Sequence, residues 1–344
     1  MNVPDKNKDF MALAFGEVML RLSPDGSERV TQSNVFVKYA AGSEMNVMSG
    51  IARMNHRTGI ITKLPQTMAG NFVRNQIRSY GVSDDYIIRD SSGNARLGLY
   101  YYESGAFPRK PTVEYDRDNS SFTTISMNEI SDNIFGTTAL FHTSGISLAL
   151  GQGPQSVAIE LMKGYKKAGA LVSFDVNFRA SLWDEDEARR VIEQVLPYID
   201  ILFVSEETSR RMFKRSGTME EIMRGFCEQY GISVVASTQR IINSPRSHSF
   251  GSLLYAHDKG QIYSEDPYEN IDVVDRIGSG DAYVAGVLSV ILSQGGYEKA
   301  VSYGNAMSSL KNTMLGDLIA TTPAEIENII KDHHSNGVKS EMNR

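Results

Sequence analysis

A short segment near the carboxyl end of the chain, Asp272 to Gly286 (DVVDRIGSGDAYVAG), combines residue types suited to acid–base and phosphate chemistry. A strand-like run ends there in a Gly-Ser-Gly-Asp turn, and a helix of small and apolar residues begins at once. Gly278 and Gly280 allow a ligand to approach the backbone closely, and a helix start leaves N–H groups without intrahelical partners. The segment therefore predicts an anion site. Asp281 is a candidate proton acceptor within it, although the same position suits a plain helix cap.

Other common ligand-binding patterns fit this chain poorly. The segment is a near miss to the dinucleotide fingerprint, because Tyr283 stands where the third glycine belongs and the motif lies far from the amino terminus. The P-loop pattern Gly-x4-Gly-Lys-Ser/Thr occurs nowhere. The six histidines lack metal-ligand spacing, which argues against a zinc site. Phosphate transfer by this chain would have to use another architecture.

Two more segments carry polar residues in promising places. In AAGSEMNVMSGIARMN, Gly42 would let a substrate lie against the backbone, and Asn46 can donate and accept hydrogen bonds, although it also suits a surface or capping role. In SFDVNFRASLW, which follows a buried strand, Asp175 and Arg179 would point at the crevice beyond the strand ends. Arg179 is a candidate carboxylate clamp, with a surface salt bridge as the alternative.

The elements that must position these residues alternate between strand and helix. Apolar runs predict strands, and segments with helical spacing separate most of them, so a mostly parallel sheet covered on both faces is expected. The predicted strands are Ala12 to Phe15, Ile60 to Thr62, Ala139 to Thr143, Leu171 to Asp175, Ile201 to Val204 and Ser233 to Ser237. The predicted helices are Gln155 to Ala168, Asp184 to Leu196, Met219 to Tyr230, Ala282 to Leu292 and Tyr297 to Lys311.

One region breaks the alternation. Arg96 to Glu103 and Thr112 to Arg117 are strand-like, and a Gly/Pro loop rather than a helix joins them. Together with Glu17 to Ser23 and Asn34 to Ala40 they predict a small antiparallel sheet that projects from the core. Such a sheet would serve as a lid that keeps water from a reactive phosphate.

Bulk properties narrow the function classes. The net charge of -6 argues against a nucleic-acid partner, and an acidic ligand would need dedicated arginines such as Arg117 and Arg179. Cys227 is the single cysteine, so no intrachain disulfide can form. No apolar stretch suggests a signal peptide or a membrane span, which predicts a cytoplasmic protein. We expect one domain over residues 10–335, with lid strands drawn from about 17–40 and 96–118, and disordered tails at 1–9 and 334–344.

Taken in order, these motifs resemble the ribokinase-like (PfkB-type) carbohydrate kinases over nearly the whole chain. The matching pieces are GEVMLRLSP, AGSEMNVMSGIARM with KLPQTMAGN, FDVNFRASLW, and VVDRIGSGDAYVAG followed by LKNTMLGD. Within that family RLGLYYYESGAFPRKPTVEYDRDNS is most similar to the 2-keto-3-deoxygluconate kinases. The resemblance implies a three-layer α/β/α core with a small β-sheet lid, often shared between two subunits. It also implies Mg²⁺ and ATP as co-substrate, and a sugar acid phosphorylated at its terminal hydroxyl to the 6-phosphate.

The resemblance also implies roles for individual residues. Asp281 matches the base, and Gly278, Ser279 and Gly280 match the anion hole. The matching sugar-binding positions are Gly42, Asn46, Tyr100, Tyr115, Arg117 and Arg179, of which Arg179 faces the carboxylate end of the sugar acid. Positions implied for the nucleotide are Ser237, Gly251 and Asn305.

The chain departs from the family pattern in three places. Ser279 replaces the usual alanine of Gly-Ala-Gly-Asp, while both glycines remain. The family's Asn-x-x-Glu motif, linked to Mg²⁺ and phosphate, reads Ser205-Glu206-Glu207-Thr208, so the metal ligands stay unassigned. The nucleotide loop reads STQRIINSPRSHSFG without early glycines, which suggests a variant ATP-binding edge.

Two other functions fit the sequence. The first is phosphorylation of a neutral sugar such as fructose or ribose. Arg117 and Arg179 argue against it, since guanidinium groups facing a neutral ligand are costly without partners. Alternatively, the chain is a catalytically silent sugar-binding protein, as the altered Ser205–Thr208 segment suggests and the retained Gly-Ser-Gly-Asp opposes.

Overall fold

Strands and helices alternate along most of the chain, and the computed structural model describes them over residues 4–335. The strands are β1 Phe10–Phe15, β2 Met19–Pro24, β3 Phe36–Ala41, β4 Thr58–Pro65, β5 Val82–Ser83, β6 Ile87–Asp90, β7 Leu99–Glu103, β8 Thr112–Asp116, β9 Thr138–Ser144, β10 Leu171–Asp175, β11 Ile201–Phe203, β12 Val234–Ser244, β13 Ser247–Ala256, β14 Gln261–Ser264 and β15 Tyr268–Asp272. The helices are α1 Ser43–Arg53, α2 Met68–Ser79, α3 Gly145–Ala149, α4 Gln152–Lys167, α5 Glu185–Val195, α6 Glu206–Arg211, α7 Met219–Tyr230, α8 Ser279–Ser293, α9 Tyr297–Asn312 and α10 Pro323–His334.

The main sheet runs in the order β14-β13-β12-β11-β10-β9-β1-β4-β5, and it is parallel from β12 to β5. Its two faces bury different residues of each strand. In β1, Ala12 and Ala14 join the apolar cluster built with α1, α8 and α9, whereas Leu13 and Phe15 join the cluster built with α4, α5 and α7. Strand side chains alternate between faces, so a strand buried on both faces is apolar throughout. The predicted three-layer α/β/α core is confirmed.

The lid sheet, formed by β2, β3, β7 and β8, stands apart in the order β3-β2-β7-β8. The prediction of a small separate sheet is confirmed, but the prediction that it is antiparallel throughout is wrong, because β2 and β7 pair in parallel. A parallel pair needs a long crossover connection, and here residues 25–98, which include α1, β4 and α2, supply it. The adjacent β2–β3 and β7–β8 pairs are antiparallel as expected.

The segment expected to be a nucleotide loop is a β-hairpin instead. β12 extends to Ser244 and pairs with β13 in antiparallel register, with Pro245 and Arg246 in the turn. Within this stretch only Ile241 and Ile242 favour a strand, so the sequence carried a weak signal for the hairpin. The chain therefore presents an extended ribbon at this side of the sheet.

The expected disordered tails coincide only in part with described residues. Residues 1–3 and 336–344 lie outside the structure's described range, while 4–9 precede β1 in turns and bends and His334 is the last residue of α10. Within residues 4–335, none of the helices combines the length and the apolar character that a membrane span requires.

Candidate active site

A cleft of about 1220 Å³ lies between the lid sheet and the carboxyl ends of β10, β11 and β12, and the starts of α1 and α8 open into it. Parallel strands bring their carboxyl ends to one edge of a sheet, so loops from distant parts of the chain converge there. The volume is large enough for two small ligands side by side. Of the predicted residues, all those assigned to the base, the anion hole and the sugar line this cleft.

Asp281 lies in the first turn of α8, and two side chains hold its carboxylate. Ser43 donates a hydrogen bond to Oδ1 (2.7 Å) and Asn46 donates one to Oδ2 (2.7 Å), both from the start of α1. Asn177 in turn donates to Ser43 Oγ (2.8 Å). Burial raises the pKa of Asp281, while the bonds from Asn46 and Ser43 and the charge of Arg179 oppose that rise. The carboxylate is thus oriented and is a better proton acceptor than an exposed aspartate.

Gly278, the residue immediately before α8, adopts a backbone conformation that only glycine tolerates well at this position. Its φ is +81°, and a Cβ added there would lie 2.0 Å from the carbonyl oxygen of Asp317. The turn therefore packs against the 313–318 loop. The N–H of Ser279 donates to the carbonyl of Arg276 (3.4 Å), whereas the N–H groups of Gly280 and Asp281, in the first helical turn, lack intrahelical acceptors. Gly280 has nothing within 4 Å of an added Cβ, so this face of the turn is open. Together these groups form the backbone donors expected of an anion hole.

Two further carboxyl groups lie close to Asp281. Asp175, at the end of β10, has its pKa raised to about 7 by burial and by the charge of Asp281, against the opposing charge of Arg179. Glu44 is buried and accepts hydrogen bonds from Ser144 N (3.1 Å), Ser144 Oγ (2.7 Å) and Ser147 Oγ (2.8 Å). Burial raises the pKa of Glu44 as well. Sequence reasoning missed Ser43 and Glu44, although both lie in the AAGSEMN segment already selected.

The two predicted substrate arginines differ in their surroundings. Arg117 is buried and donates to Glu17 through Nε (3.0 Å) and NH2, so its charge is already balanced. Arg179 is exposed to the cleft, and its NH1 donates to the carbonyl of Phe178 (3.0 Å). The structure therefore places both at the cleft, but only Arg179 has a guanidinium free of an acidic partner among the described residues.

Sequence reasoning missed two other arginines of the cleft. Arg240 extends from β12 and donates through NH2 to Ser279 Oγ (3.0 Å), and Arg276 lies two residues before the Gly-Ser-Gly-Asp turn. Protein atoms crowd the guanidinium of Arg240 although cleft solvent reaches it, and this burial, with the charges of Arg276 and Arg179, lowers the pKa of Arg240 to about 10. For Arg276 the sequence offered a signal, which was a basic residue close to an anion-site motif in an acidic chain.

The two predicted lid tyrosines are also unequal. Tyr100 is buried and its hydroxyl donates to Asp317, so that group is committed to the protein. Tyr115 is 43% exposed and stacks its ring beside that of Tyr100 at 5.5 Å between centroids. Arg117 lies 5.4 Å from the Tyr115 ring. Tyr115 is therefore the lid tyrosine with a free edge toward a ligand.

A buried ion network joins the lid sheet to the anion-hole turn. Arg21 of β2 donates to Asp275 Oδ2 (2.6 Å) and to Asp317 Oδ1 (2.8 Å), and its guanidinium lies 4.3 Å from the Tyr102 ring centroid. Asp275 also accepts from the N–H groups of Ile277 (3.0 Å) and Gly316 (3.0 Å). The network therefore fixes the segment that leads into α8 and the 313–318 loop, which together support the anion-hole turn.

The three predicted nucleotide residues do not line the cleft. Ser237 is buried on β12, Gly251 lies on β13, and Asn305 is buried in α9, where it accepts from Ser252 Oγ (2.7 Å). The cleft is lined instead by the neighbouring Thr238 and Gln239. A direct contact of Ser237, Gly251 or Asn305 with nucleotide stays a prediction.

The altered Ser205–Thr208 segment forms the start of α6 at the cleft. Ser205 caps this helix by accepting from Thr208 N (3.1 Å). Glu206 and Glu207 are paired with Arg210 (2.8 Å) and Arg211 (2.7 Å). Within residues 4–335 no group of three or more His, Cys, Asp or Glu residues is arranged to hold a metal ion.

This combination of a doubly wound sheet, a small lid sheet and a half-buried aspartate in a glycine-rich helix start defines a sugar kinase of the ribokinase-like class. The profile of the pfkB family carbohydrate kinases matches residues 9–323. The chain therefore belongs to the pfkB family of carbohydrate kinases.

Individual relatives are similar over almost the whole chain. A 2-dehydro-3-deoxygalactonokinase of Haloferax volcanii is 33% identical over 93% of this chain and 96% of its own length. A 2-dehydro-3-deoxygluconokinase of Bacillus subtilis is 28% identical over 89% and 91%. The crystal structure of 2-dehydro-3-deoxygluconokinase from Thermotoga maritima superposes with a TM-score of 0.89 at 30% identity, covering 94% of this chain and 98% of that one.

Proposed function

We propose that this kinase transfers the γ-phosphoryl group of ATP to the terminal hydroxyl of a 2-keto-3-deoxy sugar acid, with 2-keto-3-deoxygluconate as the first candidate and the 6-phosphate as product. The observation that carries the proposal is the cleft in which the oriented carboxylate of Asp281 and the free guanidinium of Arg179 occur together. Relatives named for the gluconate and galactonate forms of such acids support the substrate class.

Asp281 would act as the general base. Its carboxylate takes the proton of the terminal hydroxyl while that oxygen bonds to the γ-phosphorus and the bond to the β-phosphate oxygen breaks, releasing ADP. Because burial raises the pKa of Asp281, proton transfer to it is more favourable than to an exposed aspartate. Ser43 and Asn46 keep the carboxylate oriented, and the N–H groups of the α8 start offset the charge that develops on the phosphoryl oxygens.

The phosphate donor is proposed to be ATP carrying Mg²⁺. A magnesium ion bound to phosphates keeps several waters and needs only one or two protein carboxylates, so the lack of a three-carboxylate cluster in residues 4–335 fits this mode. Glu206 and Glu207 line the cleft, but their ion pairs with arginines leave them committed. We therefore assign no residue of the chain as a metal ligand.

The acceptor would lie between the lid and the start of α1. Arg179 offers the carboxylate end a free guanidinium, and the amide oxygen of Asn46 is buried without a partner among the described residues, which suits a sugar hydroxyl. Packing alone also requires glycine at position 42, because an added Cβ would lie 2.3 Å from the carbonyl oxygen of Glu17. Arg117 would act through Glu17 and Tyr115 rather than as a free cation.

The test measures ADP release with Mg²⁺-ATP and a panel of 2-keto-3-deoxygluconate, its galactonate epimer, gluconate, fructose and ribose. We expect turnover on the keto-deoxy acids and a loss of about 10²- to 10⁴-fold in kcat for Asp281→Asn. Asp272→Asn, an exposed aspartate on β15, is the matched control and should keep full activity.

Three outcomes would contradict the proposal. Turnover on fructose or ribose alone, with Arg179→Ala harmless, would favour the neutral-sugar kinase. A melting shift with the keto-acid but no turnover on any panel member would favour a silent binding protein. Equal activity of Asp281→Asn and the wild type would remove Asp281 from the mechanism.

The homodimer or higher homo-oligomer expected through the lid and the cytoplasmic location stay predictions. What supports association through the lid is its exposed surface: every residue of β8 is exposed, and the apolar side chains of Val35, Val37 and Phe107, which lie on or next to the lid strands, reach solvent. A patch of this kind on a soluble chain is typical of an association surface.

A further inference from the structure

Three guanidinium groups converge on the cleft without an acidic partner among the described residues. Arg179 follows β10, Arg240 extends from β12, and Arg276 precedes α8, and all three line the cleft. The charges of Arg276 and Arg179 are close enough to affect Arg240, because both contribute to its lowered pKa. Mutual repulsion of three cations in an otherwise acidic protein is unfavourable unless an anion with several charges binds among them.

Arg240 is the most constrained of the three. Its NH2 group donates to the hydroxyl of Ser279 (3.0 Å), and Ser279 is the buried first residue of α8. That hydrogen bond holds a cation at the amino-terminal end of a helix, where the helix dipole also disfavours positive charge. An anion at this spot would be attracted by the guanidinium and by the backbone N–H groups at once.

We infer that Arg240 is a catalytic residue that contacts the transferring γ-phosphoryl group, and that Ser279 is a positioning residue that holds Arg240 over the anion hole. The inference rests on the proposed phosphoryl transfer. It gives the Ser279 replacement of the usual alanine a purpose, because alanine has no oxygen to accept from Arg240. Arg276 supplies a second cation to the same phosphate chain.

The position of Ser279 decides which anion Arg240 meets. Ser279 is two residues from Asp281 in the first turn of α8. In the proposed reaction Asp281 meets the acceptor hydroxyl, so an anion bound at this helix start would be the phosphoryl group being transferred. The acceptor carboxylate lies at the other end of the sugar acid, where Arg179 is the candidate partner. Arg240 therefore distinguishes ATP from ADP, whereas Arg179 acts on the acceptor.

The decisive measurement is calorimetric binding of a non-hydrolysable ATP analogue and of ADP, without acceptor. For Arg240→Gln we expect affinity for the analogue to fall about 10- to 100-fold and affinity for ADP to change less than about twofold, as for loss of a charge-assisted hydrogen bond to the γ-phosphate. Ser279→Ala, which leaves the backbone donors intact, should weaken the analogue about 3- to 10-fold. The affinity of Arg240→Lys for the analogue should lie between those of Arg240→Gln and the wild type, because lysine keeps the positive charge but cannot donate two parallel hydrogen bonds as a guanidinium group does.

Arg246→Gln is the matched control. It removes an exposed arginine from the turn of the same hairpin, outside the cleft, and should leave both affinities unchanged. Melting temperature and circular dichroism of each variant check the fold, and if Arg240→Gln is insoluble, Ser279→Ala and Arg240→Lys carry the same comparison.

Other results would overturn the inference. If Arg240→Gln weakened the binding of the analogue and of ADP equally, Arg240 would have a structural role in the hairpin. Weakened binding of the keto-acid with unchanged binding of the analogue would make Arg240 an acceptor clamp. Failure of the proposed function gives a different result, which is absence of turnover on the whole sugar panel. The difference in affinity between the ATP analogue and ADP can still be measured in that case, because the binding experiment needs no acceptor.

Discussion

Removal of the buried cation Arg21 should strongly destabilise the protein. Arg21 is the ion-pair partner of Asp275 and Asp317, and these three side chains are 2%, 1% and 3% exposed. In Arg21→Met, two buried carboxyl groups lose their cation while the space is largely refilled. Breaking a buried pair from one side costs about 3–5 kcal/mol, and loss of the contact with the Tyr102 ring adds roughly 1 kcal/mol.

The loss should depend on pH in a defined direction. Burial raises the pKa of Asp317 even with Arg21 present, and without the cation the pKa of Asp317 should rise further. The folded variant then binds more protons than its unfolded chain, so its free energy of unfolding falls as pH rises, by at most about 1.4 kcal/mol per pH unit for each carboxyl group. The deficit relative to the wild type should therefore be largest at pH 8 and smaller at pH 5.

Urea unfolding at pH 5, 6.5 and 8 measures this. Arg246→Met, an exposed arginine in a turn, is the size-matched control and should stay within about 0.5 kcal/mol of the wild type. The triple variant Arg21→Met, Asp275→Asn, Asp317→Asn should regain part of the lost stability, because no buried charge remains unpaired. A deficit below about 1 kcal/mol at pH 8, or one that grows as the pH falls, would refute the reasoning.

Two more predictions concern the cleft. Gly278→Ala should lower the free energy of unfolding, measured with urea, by about 3–5 kcal/mol, because the added Cβ combines a positive φ with a clash against the Asp317 carbonyl. Gly296→Ala is the control and should cost about 1 kcal/mol, because its φ is +88° but the space around it is open. Equal losses in the two variants would contradict the clash. Asp175→Asn should make the protein about 4 kcal/mol more stable than the wild type at pH 8 and nearly equal to it at pH 4. The reason is that a carboxyl whose folded pKa is raised to about 7 weakens the wild type as pH rises from about 4 to 7, and a constant difference across that range would show that Asp175 does not titrate there.

Local sequence patterns determined the layered architecture and the position of the base. Helical spacing predicted helices such as α7, whose bounds Met219–Tyr230 agree with the prediction. Apolar runs predicted six strands of the core, which are β1, β4, β9, β10, β11 and β12. The order of glycines around Asp281 placed it at a helix start. These features follow from backbone geometry and side-chain periodicity within a few residues, so they can be read from one segment at a time.

Only the tertiary structure decided which charges are free. Arg117 is paired with Glu17, 100 residues away, and the hydroxyl of Tyr100 is committed to Asp317, 217 residues away. By contrast Arg240, unremarkable in a segment expected to be a loop, reaches Ser279 across 39 residues through an extended hairpin. The sequence determined which groups could do chemistry, but ion-pair partners are set by distances of a few ångströms between segments far apart in the chain, and those distances exist only once the sheet has assembled.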